Sequence, residues 1–296
     1  MHESSFTSDR ILANTKRIVQ ENQIRFQKKF GQNFLIDPHV LAKITAAADL
    51  HPDEAVIEVG PGIGTLTQEL AEGAGKVLAI EIDRHLVEVL EKTLAPYPNV
   101  TVISRDVLEV SAQEMRKMTA PFEQVKMAAN LPYNITSPLV MKILEEAPFV
   151  SQMVLMVQEE VARRMQAEPG TKEYGSLSVA VQYYAEPEIV AFVPLNCFYP
   201  RPKVGSCVIS LRRRSEPGAE VKEEALLFAV VRAAFNQRRK TLLNSLSNGL
   251  ADRFTKEQIG KALAAAGVDP AQRGETLSLN SFAMIANSLY NDYQTG

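Results

Sequence analysis

The chain's most distinctive chemistry lies in ten residues, ANLPYNITSP at 129–138. They follow the apolar stretch Val125-Lys126-Met127-Ala128, so they stand at the end of an expected strand, where a Gly- or Ser-rich turn would be ordinary. Here Asn130 supplies a carboxamide, Pro132 a rigid turn, and Tyr133 an aromatic ring with no apolar periodicity to belong to. An exocyclic amine on a nucleobase would use all three. Its lone pair is drawn into the ring, and to attack an electrophilic methyl group the nitrogen must become more tetrahedral. The side-chain carbonyl of Asn130 and the backbone carbonyl of Leu131 can accept its two N–H bonds, and the Tyr133 ring can stack on the base. Such catalysis rests on positioning, with reacting atoms near ~3 Å and no strong base. The tetrapeptide alone is also what an Asn turn beside a core tyrosine looks like, so its meaning depends on its neighbours.

Those neighbours are a glycine-rich loop and two acids. EVGPGIGTLTQEL (58–70) reads as a strand, a tight turn and a helix start, and the glycines allow a ligand close to backbone N–H groups. Gly60, Gly62 and Gly64 are spaced G-x-G-x-G, with Thr65 where the dinucleotide fingerprint has its third glycine. This weakens a pyrophosphate binder. Glu81 falls about 20 residues further on, where a carboxylate can accept both hydroxyls of a ribose. Asp106 ends the next apolar run, placed to accept from an adenine amine. Ligands in this kind of fold bind across the C-terminal ends of the strands, and both acids are expected there. An adenosine-containing cofactor without a pyrophosphate fits the set, which points to S-adenosylmethionine.

The elements that must position these residues follow from the hydrophobic pattern. AVIEVG (55–60), KVLAIEID (76–83), NVTVISRD (99–106), VKMAAN (125–130) and QMVLMVQ (152–158) are near-continuous apolar runs, as expected of parallel strands covered on both faces. Helices separate them; in RHLVEVLEKTL, for example, Leu86, Leu90 and Leu94 recur on one face. The spacing predicts an α/β fold with an open, doubly wound, Rossmann-like sheet. EIVAFVPL (188–195) and GSCVISLRRR (205–214), joined by CFYPRPKV, suggest an antiparallel addition at its edge. A short helix is expected over 8–22, opened by Ser8 or Asp9. Beyond Ser215-Glu216-Pro217-Gly218 the pattern predicts helices over 222–235, 237–248, 256–266 and 278–292. The expected domains are therefore residues 1–214, carrying the site, and a smaller helical domain, 215–296.

The net charge of −3 divides unevenly: +3 over residues 1–31, +6 over 201–240, and −12 over the rest. An acidic body with basic segments suits a protein of which only part faces phosphate, although solvated helix faces read the same way. Cys197 and Cys207 lack metal-site spacing and are expected as free thiols in a reducing cytosol; the four histidines form no ligand cluster. The N-terminus has no secretory pattern, and no apolar run reaches the ~18 residues of a membrane span. A cytoplasmic protein is expected, and nothing demands a dimer.

With these residues in view, the chain resembles the ribosomal RNA adenine dimethylases, within them the branch acting on small-subunit rRNA. The resemblance runs through KKFGQNFLID (28–37), EVGPGIGTLT (58–67), EID (81–83), Asp106-Val107, NLPY (130–133), EYGSLSV (173–179), FYPRPKVGS (198–206), FNQRRKTLLNSL (235–246) and RGETLS (273–278). It implies a class I methyltransferase sheet and the conversion of two adjacent adenosines, in the loop of the last small-subunit rRNA helix, to N6,N6-dimethyladenosine. Four molecules of S-adenosylmethionine would be consumed. By this likeness Asn33, Leu35, Gly60, Gly62, Glu81, Asp106, Val107 and Asn130 would line the cofactor site. Asn130, Leu131, Pro132 and Tyr133 would hold the target adenine, with Phe198 stacking on its other face, although that ring could equally belong to the core of an edge strand. Lys28, Lys29, Arg201, Lys203, Arg238, Arg239 and Lys240, with Arg212, Arg213 and Arg214, would meet rRNA phosphates. The partner implied is an immature 30S-type subunit.

An enzyme acting on a base amine must take the base out of its stack, and a loop adenosine is the least costly to extrude. Leu131, where DNA amino-methyltransferases carry Pro, favours the RNA branch. Three other readings remain. A large-subunit rRNA adenine methyltransferase of the resistance type shares the cofactor motifs, but the GIGTLT loop and RRKTLLNSL favour the small-subunit enzyme. A non-catalytic ribosome-assembly factor is disfavoured by an intact NLPY. An NAD-dependent oxidoreductase is disfavoured by the glycine spacing.

Overall fold

The computed structural model describes residues 8–24 and 32–295. Lys28 and Lys29 lie outside them. In chain order, α1 (Ser8–Glu21) is followed by a two-residue strand, β1 (Phe34–Leu35), and by α2 (Pro38–Ala48). The alternating part comprises β2 (Glu54–Val59), α3 (Thr65–Gly73), β3 (Lys76–Glu81), α4 (Arg84–Thr93), β4 (Val100–Ser104), α5 (Ala112–Thr119), β5 (Gln124–Asn130), α6 (Thr136–Glu146) and β6 (Val150–Gln158). Two helices, α7 (Glu159–Gln166) and α8 (Ser176–Tyr184), lead to β7 (Ala185–Val193), the short β8 (Phe198–Tyr199) and β9 (Ser206–Arg213). The rest is helical: α9 (Glu224–Asn236), α10 (Leu242–Gly249), α11 (Lys256–Ala265) and α12 (Leu279–Thr295). Among the described residues no helix is long and apolar enough to cross a membrane.

Seven strands form one mixed sheet in the order β4-β3-β2-β5-β6-β9-β7. The strands from β4 to β6 are parallel, and β9 joins β6 antiparallel. The doubly wound expectation is met: β2 is buried at every position and β3 at all but Lys76, as strands covered on both faces must be. At the edge, β4 is only half covered. The strand order reverses between β2 and β5, where a doubly wound sheet opens a crevice. The proline-rich link 197–204, expected as a connection, also contains β8, which pairs antiparallel with β1 (Phe34 opposite Tyr199, Leu35 opposite Phe198).

Two compact units emerge, residues 1–162 with 188–213, and residues 163–187 with 214–296. The expected single boundary near residue 215 is therefore incomplete, because the chain also leaves the first unit at 163 and returns at 188. The cause is apolar packing within the second unit. Tyr174, Val179 and Tyr183 share one buried cluster with Leu227, Val230, Leu246, Leu263 and Phe282. The helix expected from 237 begins only at Leu242, after a turn in which Lys240 N–H donates to the Gln237 carbonyl.

The first unit also holds a nearly buried ion pair between two neighbouring parallel strands. Lys126, in the middle of β5, donates to Glu54 Oε2 at 2.9 Å and to the Asp49 carbonyl at 2.7 Å, while Glu54 Oε2 also accepts from His51 N–H. A carboxylate this far from water is tolerable only with such partners. Lys126→Met should therefore cost roughly 2–4 kcal/mol, somewhat below the ~3–5 of a fully buried broken pair. Denaturant titration checks this, and a loss near zero would make the pair no better than a surface one.

Candidate active site

At the C-terminal ends of β2, β3 and β5 the first unit holds a cavity of about 320 Å³. Its walls come from the glycine loop, from Glu81 and Ile82, from Arg105 to Val107, from residues 130–135, and from a strap formed by residues 32–35. All the cofactor positions expected from the sequence line it: Asn33, Leu35, Gly60, Gly62, Glu81, Asp106, Val107 and Asn130.

The glycine loop owes its shape to backbone that other residues rarely adopt. Gly60, Gly62 and Gly64 have φ of +67°, +63° and +89°. At Gly62 a side chain is disfavoured twice over, since an added Cβ would also lie 3.0 Å from the Phe34 ring on the strap. The loop then turns so that Gly62 N–H donates to Glu81 Oε2 at 3.3 Å, while Asp83 N–H donates to Glu81 Oε1 at 2.9 Å. Glu81 is only 5% exposed. Burial raises its carboxyl above the usual range, and the two backbone N–H groups oppose that shift. Asp106 uses one oxygen to cap the turn that follows, accepting from Leu108 N–H at 2.9 Å, which fixes the carboxylate at the cavity wall. Ile82, 45% exposed, adds an apolar surface between the acids.

Glu58 also lines the cavity and was not singled out from the sequence, where it reads as one more residue of a buried strand. It is 1% exposed. Its Oε2 and the Thr67 hydroxyl, both buried, lack a hydrogen bond of normal geometry. Burial pushes the Glu58 carboxyl up to about 8, with the Thr67 hydroxyl near enough to oppose the shift and the Glu81 carboxylate adding to it.

The NLPY segment closes the cavity at the end of β5. Leu131 N–H donates to the Met156 carbonyl, and the Pro132 carbonyl accepts from Ile135 N–H, so the turn is tight and leads into α6. Asn130 Nδ2 donates to the backbone carbonyl of Asn33 at 2.9 Å. With one of its two N–H bonds used on the strap, the carboxamide keeps its oxygen as an acceptor. Tyr133 is half-buried, and its phenol oxygen and the Ser206 hydroxyl share a hydrogen bond of 2.8 Å. The strap is itself fixed: β1 pairs with β8, Ile36 N–H donates to the Cys197 carbonyl, and Gln32 Nε2 donates to Asp83 Oδ2 at 3.0 Å.

Several expected residues lie elsewhere. Phe198, expected to stack on the base, is 2% exposed and packs with Leu35, Val40 and Val208, outside the cavity walls. Its place in β8 turns the ring into the core. Arg238 is engaged by Glu275 and by the carbonyls of Lys172 and Tyr174. Arg213 donates to the carbonyls of Ile143, Leu144, Ala147 and Val150, closing the end of α6, and Arg214 is held by Glu186 and the Gln182 carbonyl. Arg201, Lys203, Arg212, Arg239 and Lys240 are exposed.

Glu58 makes stability depend on pH with a defined sign. Its folded value lies above the ordinary 4.5, so between that pH and about 8 the folded protein holds a proton that the unfolded chain has lost. Stability contributed by the neutral acid is complete at low pH and declines through this window. Glu58→Gln should remove that decline, matching the parent near pH 4.5 and melting higher than it at pH 8. Parallel melting curves across the range would refute the assignment.

Comparison with known proteins agrees with this geometry. The sequence profile of the family described as ribosomal RNA adenine dimethylase matches residues 23–290. A ribosomal RNA small subunit methyltransferase A from Alkaliphilus metalliredigens is 51% identical over 277 residues, covering 94% of this chain and 96% of that protein. Its namesake from Bacillus cytotoxicus is 50% identical over 277 residues, covering 93% and 95%. Among solved structures, a dimethyladenosine transferase from Plasmodium falciparum superposes with a TM-score of 0.71 at 27% identity, covering 85% of this chain and 95% of that one. The 23S rRNA methyltransferase ErmE superposes with a TM-score of 0.66 at 31% identity, covering 87% and 100%. The shared sheet, the match along nearly the full length and the acid-lined cavity beside NLPY place the conclusion beyond the fold alone: this chain belongs to the ribosomal RNA adenine dimethylase family.

Proposed function

We propose that the chain dimethylates N6 of two adjacent adenosines in the loop of the last small-subunit rRNA helix, on an immature 30S-type subunit. The cofactor read from the cavity is S-adenosylmethionine, which when bound supplies an electrophilic methyl group on sulfur. The observation that carries the reading is the Asn130–Asn33 hydrogen bond, which holds Asn130 by Nδ2 and leaves its Oδ1 as an acceptor on the wall that also bears Glu81 and Asp106. The small-subunit target is supported by relatives near 50% identity that carry that name.

The donor set suits such a cofactor. Glu81 spends two lone pairs on backbone N–H groups and retains others for ribose hydroxyls. Asp106 can accept from an adenine amine, and Ile82 and Val107 offer apolar cover for a flat ring. Glu58, buried with an unpartnered oxygen, suits a cationic group.

At the mouth, Asn130 Oδ1 and the Leu131 carbonyl accept from the amine of the extruded adenine, holding its lone pair out of conjugation. Pro132 keeps the two carbonyls in place, and Tyr133 supports the base through its ring. An amine that accepted a methyl group would become positively charged and could lose its proton to water, so the walls need no strong base. Exposed Arg201, Lys203, Arg239 and Lys240 meet phosphate and add affinity rather than sequence reading. Phe198 is left out of this account, because its ring is committed to the core.

The deciding test incubates the protein with labelled S-adenosylmethionine and unmethylated small subunits, followed by digestion to nucleosides. Dimethylated adenosine is the expected product; labelling of naked large-subunit rRNA instead would favour the activity in ErmE's name. Glu81→Ala should abolish cofactor binding in calorimetry, and unchanged affinity would remove Glu81 from the site. RNA affinity should fall steeply with added salt, whereas a flat response would take the basic residues off phosphate.

A further inference from the structure

We infer that Ser206 is a positioning residue for the reaction, its hydroxyl anchoring the phenol of Tyr133 and with it the plane of the ring that meets the target base. The inference rests on the role given to Tyr133 above. Tyr133 lies within the tight turn at the end of β5 and lines the cavity, with no aromatic ring among the described residues within stacking distance of it. A ring on two soft torsions can swing, and a tether at the phenol oxygen, the atom furthest from the backbone, restrains it most.

The anchor is itself rigid. Ser206 is 1% exposed and opens β9, which runs antiparallel to β6. This direction matters: the parallel strands bring their last residues to the reacting rim, so an antiparallel neighbour must bring its first. Asn130 lies opposite Met156, and Ser206 opposite Gln158, two residues further along the same strand β6. Glu159 N–H then donates to the Gly205 carbonyl at 3.0 Å, fixing the backbone next to the serine. Burial raises the Tyr133 phenol and the bond to Ser206 opposes the shift, so near neutral pH the pair is a neutral hydrogen bond.

The test is a double-mutant cycle on the full chain, with S-adenosylmethionine and unmethylated small subunits. Ser206→Ala and Tyr133→Phe should each lower kcat/KM for the RNA by about tenfold, with donor affinity in calorimetry within about twofold of the parent. The double variant should be no slower than either single one, because both break the same bond. Multiplying losses, or parental turnover in Ser206→Ala, would overturn the assignment. Tyr133→Ala separates this from the wider reading: if it keeps parental turnover, the role of Tyr133 itself falls, whereas a slow Tyr133→Ala beside a fast Ser206→Ala removes Ser206 alone. Should Ser206→Ala not fold, Tyr133→Phe breaks the bond from the other side, and parental turnover there, beside a slow Tyr133→Ala, also overturns it.

Discussion

A carboxamide has two faces, and the site depends on which one Asn130 shows. Tied through one N–H of Nδ2 to the carbonyl of Asn33, it leaves its oxygen as an acceptor. That single bond explains why the strap of residues 32–35 has to be held so closely. It is paired with β8, packed by Phe34 against a glycine where any side chain would be strained, and pinned by Gln32 to Asp83. Each contact comes from a different stretch of the chain, and together they fix a carbonyl that itself takes no part in the chemistry. The proposed reaction, run by positioning, would make this demand, since a misplacement of about 1 Å costs more than any single contact contributes.

The acids illustrate a second constraint. Glu81 and Glu58 sit in the same poorly hydrated cavity, and two uncompensated charges there would repel. Their surroundings separate them. Glu81 receives two backbone N–H groups and so keeps its acceptor character, whereas Glu58 has no normal hydrogen bond and holds its proton. The cavity thus has one carboxylate ready for hydroxyl donors and one acid that a cationic ligand would favour ionising.

Strands β2, β3, β5 and β6 were legible to within two residues, because a strand covered on both faces leaves a continuous apolar run that no surface element imitates. Glu81, Asp106 and Asn130 could be placed at one rim for the same reason, as polar residues ending such runs. What stayed hidden depended on long-range partners. The two-residue strands β1 and β8 have no periodicity to read, so the sequence could not choose between Phe198 as a stacking ring and Phe198 as core, and its pairing buries it. The run Arg212-Arg213-Arg214 is uniform in sequence, yet Arg213 and Arg214 bond to carbonyls and a carboxylate, and only Arg212 is exposed. Likewise α8 has an apolar face, but nothing in that face says which of two cores will accept it.

The pairing of β1 with β8 has a consequence for how the protein is made. A ribosome releases residue 34 long before residue 199, so the glycine loop and both acids can fold into a nascent parallel sheet while the strap still lacks its partner strand. Closing so long a loop is entropically slow and comes late. Of the residues around the cavity, the glycine loop and both acids can therefore take their places during translation, while Asn33 and Leu35 on the strap wait for the proline-rich link to emerge.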